Sequence, residues 1–222
     1  MGARGDYSRE FILDPPMLAR VAALAPGRAL DIGCGEERFC RMLRARGFEP
    51  VGVDPTEALL AEARRRDPGG DYRAGRAEAL DFADASFDLV VSYLTLIDIE
   101  DAAAAIAGMA RVLAPGGTLL VANLAAHVTA GAPEGWVTGP DGTRRFVIDD
   151  YLDERAHWAA WRGIRVRNWH RPLSAYMALL LGQGLVLTHF AEPAPVAGDP
   201  ARIALARRVP WFVLMEWRKP AA

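Results

Sequence analysis

Lysine is nearly missing from this chain. Of 26 basic side chains only one, Lys219, is a lysine. A Gly-Lys-Ser/Thr phosphate loop is therefore excluded, and Schiff-base chemistry is disfavoured. Cysteine is scarce too: Cys34 and Cys40 stand alone, without a Cys-x-x-Cys or His-Glu-x-x-His pattern. Neither a disulfide framework nor a metal centre is expected, and a reducing, cytoplasmic compartment is. No window approaches the roughly eighteen uninterrupted apolar residues of a membrane span. Arg4, Asp6, Arg9 and Glu10 precede any apolar run, so no signal peptide is expected. Charge of one sign is lacking as well. With 26 basic and 28 acidic groups the net charge is −2, and no global field recruits nucleic acid or an anionic membrane. What the chain does have is apolar content: 51% hydrophobic residues against 24% charged, over 222 residues. That is ordinary globular composition, and at about 150 residues per domain it suggests one domain spanning 1–222.

Periodicity predicts the order of elements. Residues 1–14 read as a polar lead-in, and Asp14-Pro15-Pro16 as an extended approach to a helix over 17–24. A strand is predicted at 28–32, a helix at 36–46 and a strand at 50–54. A helix capped by Thr56 follows through residue 66, then a strand at 87–92, a helix at 101–113 and a strand at 118–123. Strands separated by helices imply βαβ units and a parallel sheet covered on both faces, a doubly wound three-layer α/β sandwich. After Leu124 the rhythm breaks. Strand-like runs at 144–148 and 164–170 flank a predicted helix at 151–161. A helix at 174–181 and strands at 184–190 and 210–217 then resume the pattern. The interruption at 125–171 is too long for a bare connection, and its aromatic content predicts a folded lid.

Gly33-Cys34-Gly35 follows the first strand where a helix begins, so backbone N–H groups face a ligand and glycine lets it approach. Asp54 closes the second strand roughly 20 residues later, where a carboxylate can accept from both ribose hydroxyls. A dinucleotide fold would want a third glycine where Arg38 stands. A ligand with a ribose but no pyrophosphate fits better.

These stretches resemble the class I S-adenosylmethionine-dependent methyltransferases, particularly their small-molecule branch. The likeness runs through Leu30-Asp31-Ile32-Gly33-Cys34-Gly35, Val51-Gly52-Val53-Asp54, Ala77-Glu78-Ala79-Leu80 with Ser86-Phe87-Asp88-Leu89-Val90-Val91-Ser92, and Arg111-Val112-Leu113-Ala114-Pro115-Gly116-Gly117-Thr118. The resemblance implies S-adenosyl-L-methionine as cofactor. It places Asp31, Gly33, Cys34 and Gly35 beside the methionyl portion, Asp54 and Pro55 at the ribose, Ala77 and Glu78 at the adenine, and Ser92 beside the transferable methyl. Three positions depart from the pattern. Glu37 stands where many relatives have a third glycine, Arg76 where many have aspartate, and Asp81 where many have proline. An acid at residue 37 also suits a helix N-terminus, and adenine recognition is expected to rest on backbone groups.

Methyl transfer needs alignment, a lid and, for protic acceptors, a base. Four of the six tryptophans (Trp136, Trp158, Trp161, Trp169) lie in the inserted region. Strand alternation puts Ile164, Val166, Asn168 and His170 on one face and Arg165, Arg167 and Trp169 on the other. His170 is the first candidate base and His127 the second, each weighed against a purely structural role. Tyr93 and Tyr176 are alternative acceptor contacts. Arg155, Arg162, Arg165, Arg167 and Arg171 could hold an anion, but Asp149, Asp150, Asp153 and Glu154 offset them. The expected activity is therefore in-line transfer of a methyl group to O, N or C of a small planar organic acceptor, with nucleic acid and membrane not expected as partners. Methylation of RNA or another macromolecule, nicotinamide-dependent oxidation, and a non-methylating protein on the same scaffold are the alternatives.

Overall fold

The protein is described by a computed structural model covering residues 6–131, 135–161 and 164–221. Its centre is a seven-stranded sheet. Arg28–Ile32 (β1) lies between Glu49–Asp54 (β2) and Phe87–Tyr93 (β4), parallel to both. Asp71–Ala74 (β3) extends the sheet beyond β2, and Leu113–Leu124 (β5) extends it beyond β4, again in parallel. Phe212–Arg218 (β11) and Val186–Ala191 (β10) complete the far edge, with β11 antiparallel to both of its neighbours. The chain order reverses between β1 and β4, and ligands of open α/β sheets bind at such a reversal, outside the carboxyl ends of the strands.

Alternation along the strands divides the core into two layers. Leu30, Ile32 and Val90 pack with helix Ala102–Val112 (α4), whose Ile106 and Met109 are fully buried. Ala29, Leu89 and Val91 pack on the opposite face with Met17 and Val21 of Asp14–Ala22 (α1) and with Phe39 and Leu43 of Arg38–Arg44 (α2). The Asp101 side chain caps α4 by accepting from the Ala104 amide at 2.9 Å. Helix Glu57–Arg66 (α3) joins β2 to β3, and Leu173–Gly182 (α6) precedes β10. Among the described residues no helix is long and apolar enough to cross a membrane.

Three expectations are corrected. The polar lead-in is helical: Arg9–Leu13 winds as a π-helix straight into α1, which begins at Asp14 with prolines in its first turn. Thr56 stands at the start of α3, but its side chain makes no cap; its amide instead donates to Asp54 Oδ1 at 2.8 Å. Residues 151–161 do not form a helix. Arg155–Trp161 (β8) pairs antiparallel with Ile164–His170 (β9), because its alternate residues close over a cavity and cross-strand pairing outweighs local propensity. A helix the periodicity did not suggest, Pro200–Arg208 (α7), starts at Asp199, whose side chain accepts from the Arg202 amide at 2.9 Å. Between β5 and β8 the chain forms a short helix, Ala126–Ala130 (α5), and a hairpin of Trp136–Thr138 (β6) with Arg144–Phe146 (β7).

Candidate active site

The turn after β1 is pinned to β2 by two amides: Gly33 N and Cys34 N both donate to the Val53 carbonyl, at 2.7 and 3.1 Å. Gly33 has φ +71°, and a Cβ there would lie 2.4 Å from the Thr95 side chain. Thr95 is fixed in turn by donating to the Ile32 carbonyl at 2.9 Å. Only glycine fits that position. Gly35 differs: its φ is +56°, and a Cβ would meet nothing within 4 Å. The turn is closed underneath and open above.

The open side leads into a cavity of about 280 Å3, lined by Asp31, Gly33, Cys34, Gly35, Phe39 and Tyr93 among others. Asp54, at the tip of β2, accepts from Gly35 N at 3.0 Å and from Thr56 N at 2.8 Å, one bond to each carboxylate oxygen. A carboxylate has about four acceptor positions, so two are left for a diol. Asp31 is buried beneath the same turn. Burial pushes its carboxyl up to about 7, the Cys40 thiol 3.4 Å away opposes the shift, and Asp54 adds to it. A carboxyl so placed ionises readily only beside a cation such as an ammonium or sulfonium group. An open glycine turn, a diol-ready acid and a carboxyl awaiting a cation together fit S-adenosyl-L-methionine.

Glu37 adopts φ +78°, the left-handed conformation that glycine would take without strain. Its side chain is fully buried against Arg41, which lines the smaller cavity, while Glu37 itself lines neither cavity described here. Burial raises its carboxyl, Arg41 opposes that, and Oε1 has no hydrogen-bond partner among the described residues. Pro55 is exposed beside Asp54. The Gly75 amide donates to the Asp54 carbonyl at 3.2 Å and brings the turn Ala77–Ala79 to the same edge of the sheet. There Arg76 pairs with Glu78 at 2.7 Å. Ser92 lies in the sheet opposite Ile32, fully buried, with its hydroxyl unpartnered among the described residues, and it lines neither cavity.

Tyr93, the next residue, lines the same 280 Å3 cavity and donates to Asp14 Oδ1 at 2.8 Å. Asp14 also holds Arg38 through both guanidinium nitrogens. The segment read as an extended lead-in thus supplies a buried carboxylate that ties α1, α2 and β4 together over the cavity. Its only trace in the sequence is an acid preceding two prolines at a helix start.

Arg9 lines this cavity and also a second one of about 560 Å3. The β6–β7 hairpin contributes Trp136 and Phe146, the β8–β9 hairpin His157, Ala159, Val166 and Asn168, and the approach to β11 Trp211 and Phe212. Trp136 and Phe146 pack edge to face with centroids 5.5 Å apart. The loop leaving β4 contributes Leu94, in the left-handed region at φ +59°, together with Ile97 and Asp98. The β8–β9 hairpin docks on this loop through the Trp169 amide, which donates to the Ile97 carbonyl at 2.7 Å.

Neither histidine proposed as a base reaches this cavity. His170 does share the inward face of β9 with Asn168, but it is fully buried and both ring nitrogens are engaged. Nε2–H donates to the Tyr151 carbonyl at 2.9 Å, and Nδ1 lies 2.6 Å from the Thr129 hydroxyl. Burial lowers its pKa, the Tyr151 carbonyl opposes that, and Arg155 reinforces it. The neutral ring fastens β9 to α5. His127 holds the Pro210 carbonyl at 2.7 Å and fastens α5 to the start of β11. Tyr176 is buried with its hydroxyl 3.5 Å from the Leu96 carbonyl. Arg162 lies outside the described residues, and other hairpin arginines are occupied locally: Arg165 stacks on Trp158 at 4.1 Å, Arg167 on Trp169 at 4.6 Å, and Arg155 donates to the Asp150 and Ala130 carbonyls.

The titratable groups that do line the larger cavity include Asp98 and His157. Sequence reasoning passed over Asp98. The available signal was an isolated acid within the apolar run Leu94–Ile99, just past the carboxyl end of a buried strand.

Comparison with known proteins places the chain in a family. Residues 30–121 match the family described as "Methyltransferase domain". A malonyl-[acyl-carrier protein] O-methyltransferase of Enterobacter lignolyticus is 33% identical over 183 residues, 79% of this chain and 71% of that protein. Two further proteins of that name are matched over only 59% and 54% of their length. A demethylmenaquinone methyltransferase of Beutenbergia cavernae is 30% identical over 166 residues, 64% of this chain and 69% of that protein. Among solved structures, an S-adenosylmethionine-dependent methyltransferase of Mesorhizobium loti superposes with a TM-score of 0.82 at 29% identity, covering 98% of this chain and 100% of that one.

Proposed function

The chain belongs to the class I S-adenosylmethionine-dependent methyltransferases, and we propose that it transfers the methyl group to a small planar organic acceptor seated in the 560 Å3 cavity. The observation carrying this reading is the meeting of two cavities at the strand-order reversal: one lined by the glycine turn, whose Gly35 amide is held by Asp54, the other walled by aromatic rings. A volume of this size suits a small ligand, and the flat walls of Trp136, Phe146, Trp211 and Phe212 favour a ring.

When bound, S-adenosyl-L-methionine supplies an electrophilic methyl on a sulfonium. The chain's own part is to hold and align. Asp54 takes the ribose diol, Asp31 faces the cationic methionyl end, and the open face of Gly35 admits the tail. Alignment of two reactants can account for about 7–11 kcal/mol of a barrier. On the acceptor side, segment 125–171 acts as a lid whose two hairpins exclude water from the methyl's path.

Titration calorimetry with S-adenosyl-L-methionine is the first test, and the absence of binding at millimolar cofactor would overturn the assignment. Mass spectrometry after incubation with an acceptor panel then tests the substrate class. Phenols, aromatic amines, quinones and carried acids belong in that panel, including the acceptors in the relatives' names.

A further inference from the structure

Resting on the reading that the larger cavity receives the acceptor, we propose that Asp98 is the group that takes the acceptor's proton, so that the acceptor presents a neutral O–H or N–H rather than a carboxylate. Asp98 lines that cavity, on the loop that leaves β4 at the strand-order reversal. Its place is tied to the cofactor side: its amide donates to the Thr95 carbonyl at 2.9 Å, and the Thr95 side chain is the one that packs on Gly33. The carboxylate is oriented by the Asn168 amide, which donates to Oδ1. Asn168 is itself buried on the inner face of β9. Among the described residues no other hydrogen bond to the Asp98 side chain is found, so Oδ2 has room for a substrate proton.

Asp98 keeps access to solvent, and apolar side chains flank it on the cavity side. Leu94, Ile97, Val128 and Val166 line the same cavity. Partial desolvation by these neighbours pushes the Asp98 carboxyl up to about 6, against the opposing bond from Asn168. Such a group is mostly ionised at neutral pH yet takes a proton more readily than an ordinary aspartate, as a general base should.

The other charged or titratable groups facing the region are Asp6, just before the N-terminal helix, Arg9 within it, His157 from β8, and the Arg167–Glu100 pair beside the loop. Arg9 is held by Asp6 at 2.9 Å, so it is not committed to an anionic substrate. His157 is the rival base. Burial, then Arg155 and His170, lower its pKa, but among the described residues it has no hydrogen-bond partner to orient it.

In the step itself the acceptor's lone pair forms the bond to the methyl carbon. The carbon–sulfur bond breaks with its electrons going to sulfur, and the acceptor's proton passes to Asp98. A carboxylate acceptor has no proton to give and would meet a like charge in an apolar cavity.

The test uses 4-nitrophenol, whose phenolate absorbs visible light, titrated into the protein saturated with S-adenosylhomocysteine. In the wild type the bound probe stays protonated to higher pH than in solution. Asp98→Asn removes that shift and weakens neutral-phenol binding by about tenfold, while His157→Gln keeps both. With an active acceptor, Asp98→Asn lowers kcat/KM by roughly 10²–10⁴-fold and abolishes the fall in rate below pH 6. Cofactor affinity stays unchanged in both variants. Failure of the wild type to bind cofactor sinks the methyltransferase reading instead and is seen separately. The Asp98 proposal is overturned if the probe does not bind, if 4-nitrobenzoate binds better, if the shift survives Asp98→Asn, or if it vanishes in His157→Gln.

Discussion

The two halves of the proposed active site are built in different ways. On the cofactor side, one strand–turn–helix unit and the tip of the next strand supply nearly everything. Gly33, Cys34 and Gly35 are contiguous, and Asp54 is joined to the turn by a single hydrogen bond from Gly35 N. On the acceptor side, each wall comes from a different part of the chain: the N-terminal helix, the β4 loop, two hairpins and the start of β11. The contrast shows what each half must do. A cofactor common to a whole family can be met by a local device, whereas an acceptor pocket must be assembled from long-range contacts that vary without disturbing the sheet.

Substitutions on the two sides should therefore fail differently. The largest effect is expected at Gly33→Ala. Its Cβ would overlap Thr95 at 2.4 Å in a left-handed backbone, costing about 2–4 kcal/mol of stability and abolishing measurable cofactor binding. Thermal unfolding and calorimetry read both losses, and Thr95→Ala in the same chain should recover only part of them, because the backbone strain stays. Next comes Asp54→Ala, which orphans two amides and removes the proposed partner of the ribose diol. It should weaken S-adenosyl-L-methionine at least tenfold by calorimetry, whereas the apolar acceptor cavity keeps its affinity for 4-nitrophenol.

On the acceptor side, His170→Ala removes two buried hydrogen bonds. It should lower the melting temperature by several degrees and raise KM for the acceptor with cofactor affinity unmoved. A loss of kcat at constant KM would return His170 to the chemistry.

Asp31→Asn brings pH into the comparison. The folded state holds the Asp31 proton up to about pH 7, above its unfolded value, so the stabilisation this provides is complete below the ordinary carboxylate range and fades as pH rises through 7. The variant should therefore melt a few degrees higher than wild type at pH 8 and indistinguishably at pH 4, yet bind cofactor more weakly at pH 8, a difference that narrows at pH 4 where Asp31 is itself protonated. The smallest effect is expected at Glu37→Gly. Relief of the left-handed strain, set against loss of the Arg41 pair, leaves a gain of about 1 kcal/mol with unchanged cofactor affinity.

The comparison also explains what could be read in advance. The sheet and its covering helices were legible because buried parallel strands are short apolar runs, Phe87–Tyr93 being one, separated by helical spacing. The glycine turn after β1 was legible because its residues are neighbours. Misreadings fell where a residue's partner is distant in sequence. Residues 151–161 have helical composition enough, but they pair with β9. His170 has an inward-facing position, but Thr129 and Tyr151 take its nitrogens. Ser92 ends an apolar run as hoped, but its side chain points into the sheet's packing while Tyr93 faces the cavity. Asp14 and Asp98 were passed over because nothing adjacent in the chain reveals that Arg38 or Asn168 will meet them.

Strand, turn and helix followed from the order of apolar side chains and glycines, because those preferences act within a few residues and need no partner. Which carboxyls lose water, which histidines are tied down and which aspartate is left facing a cavity depended on segments closing over one another. Dehydration and hydrogen-bond competition exist only once the distant parts of the chain have come together.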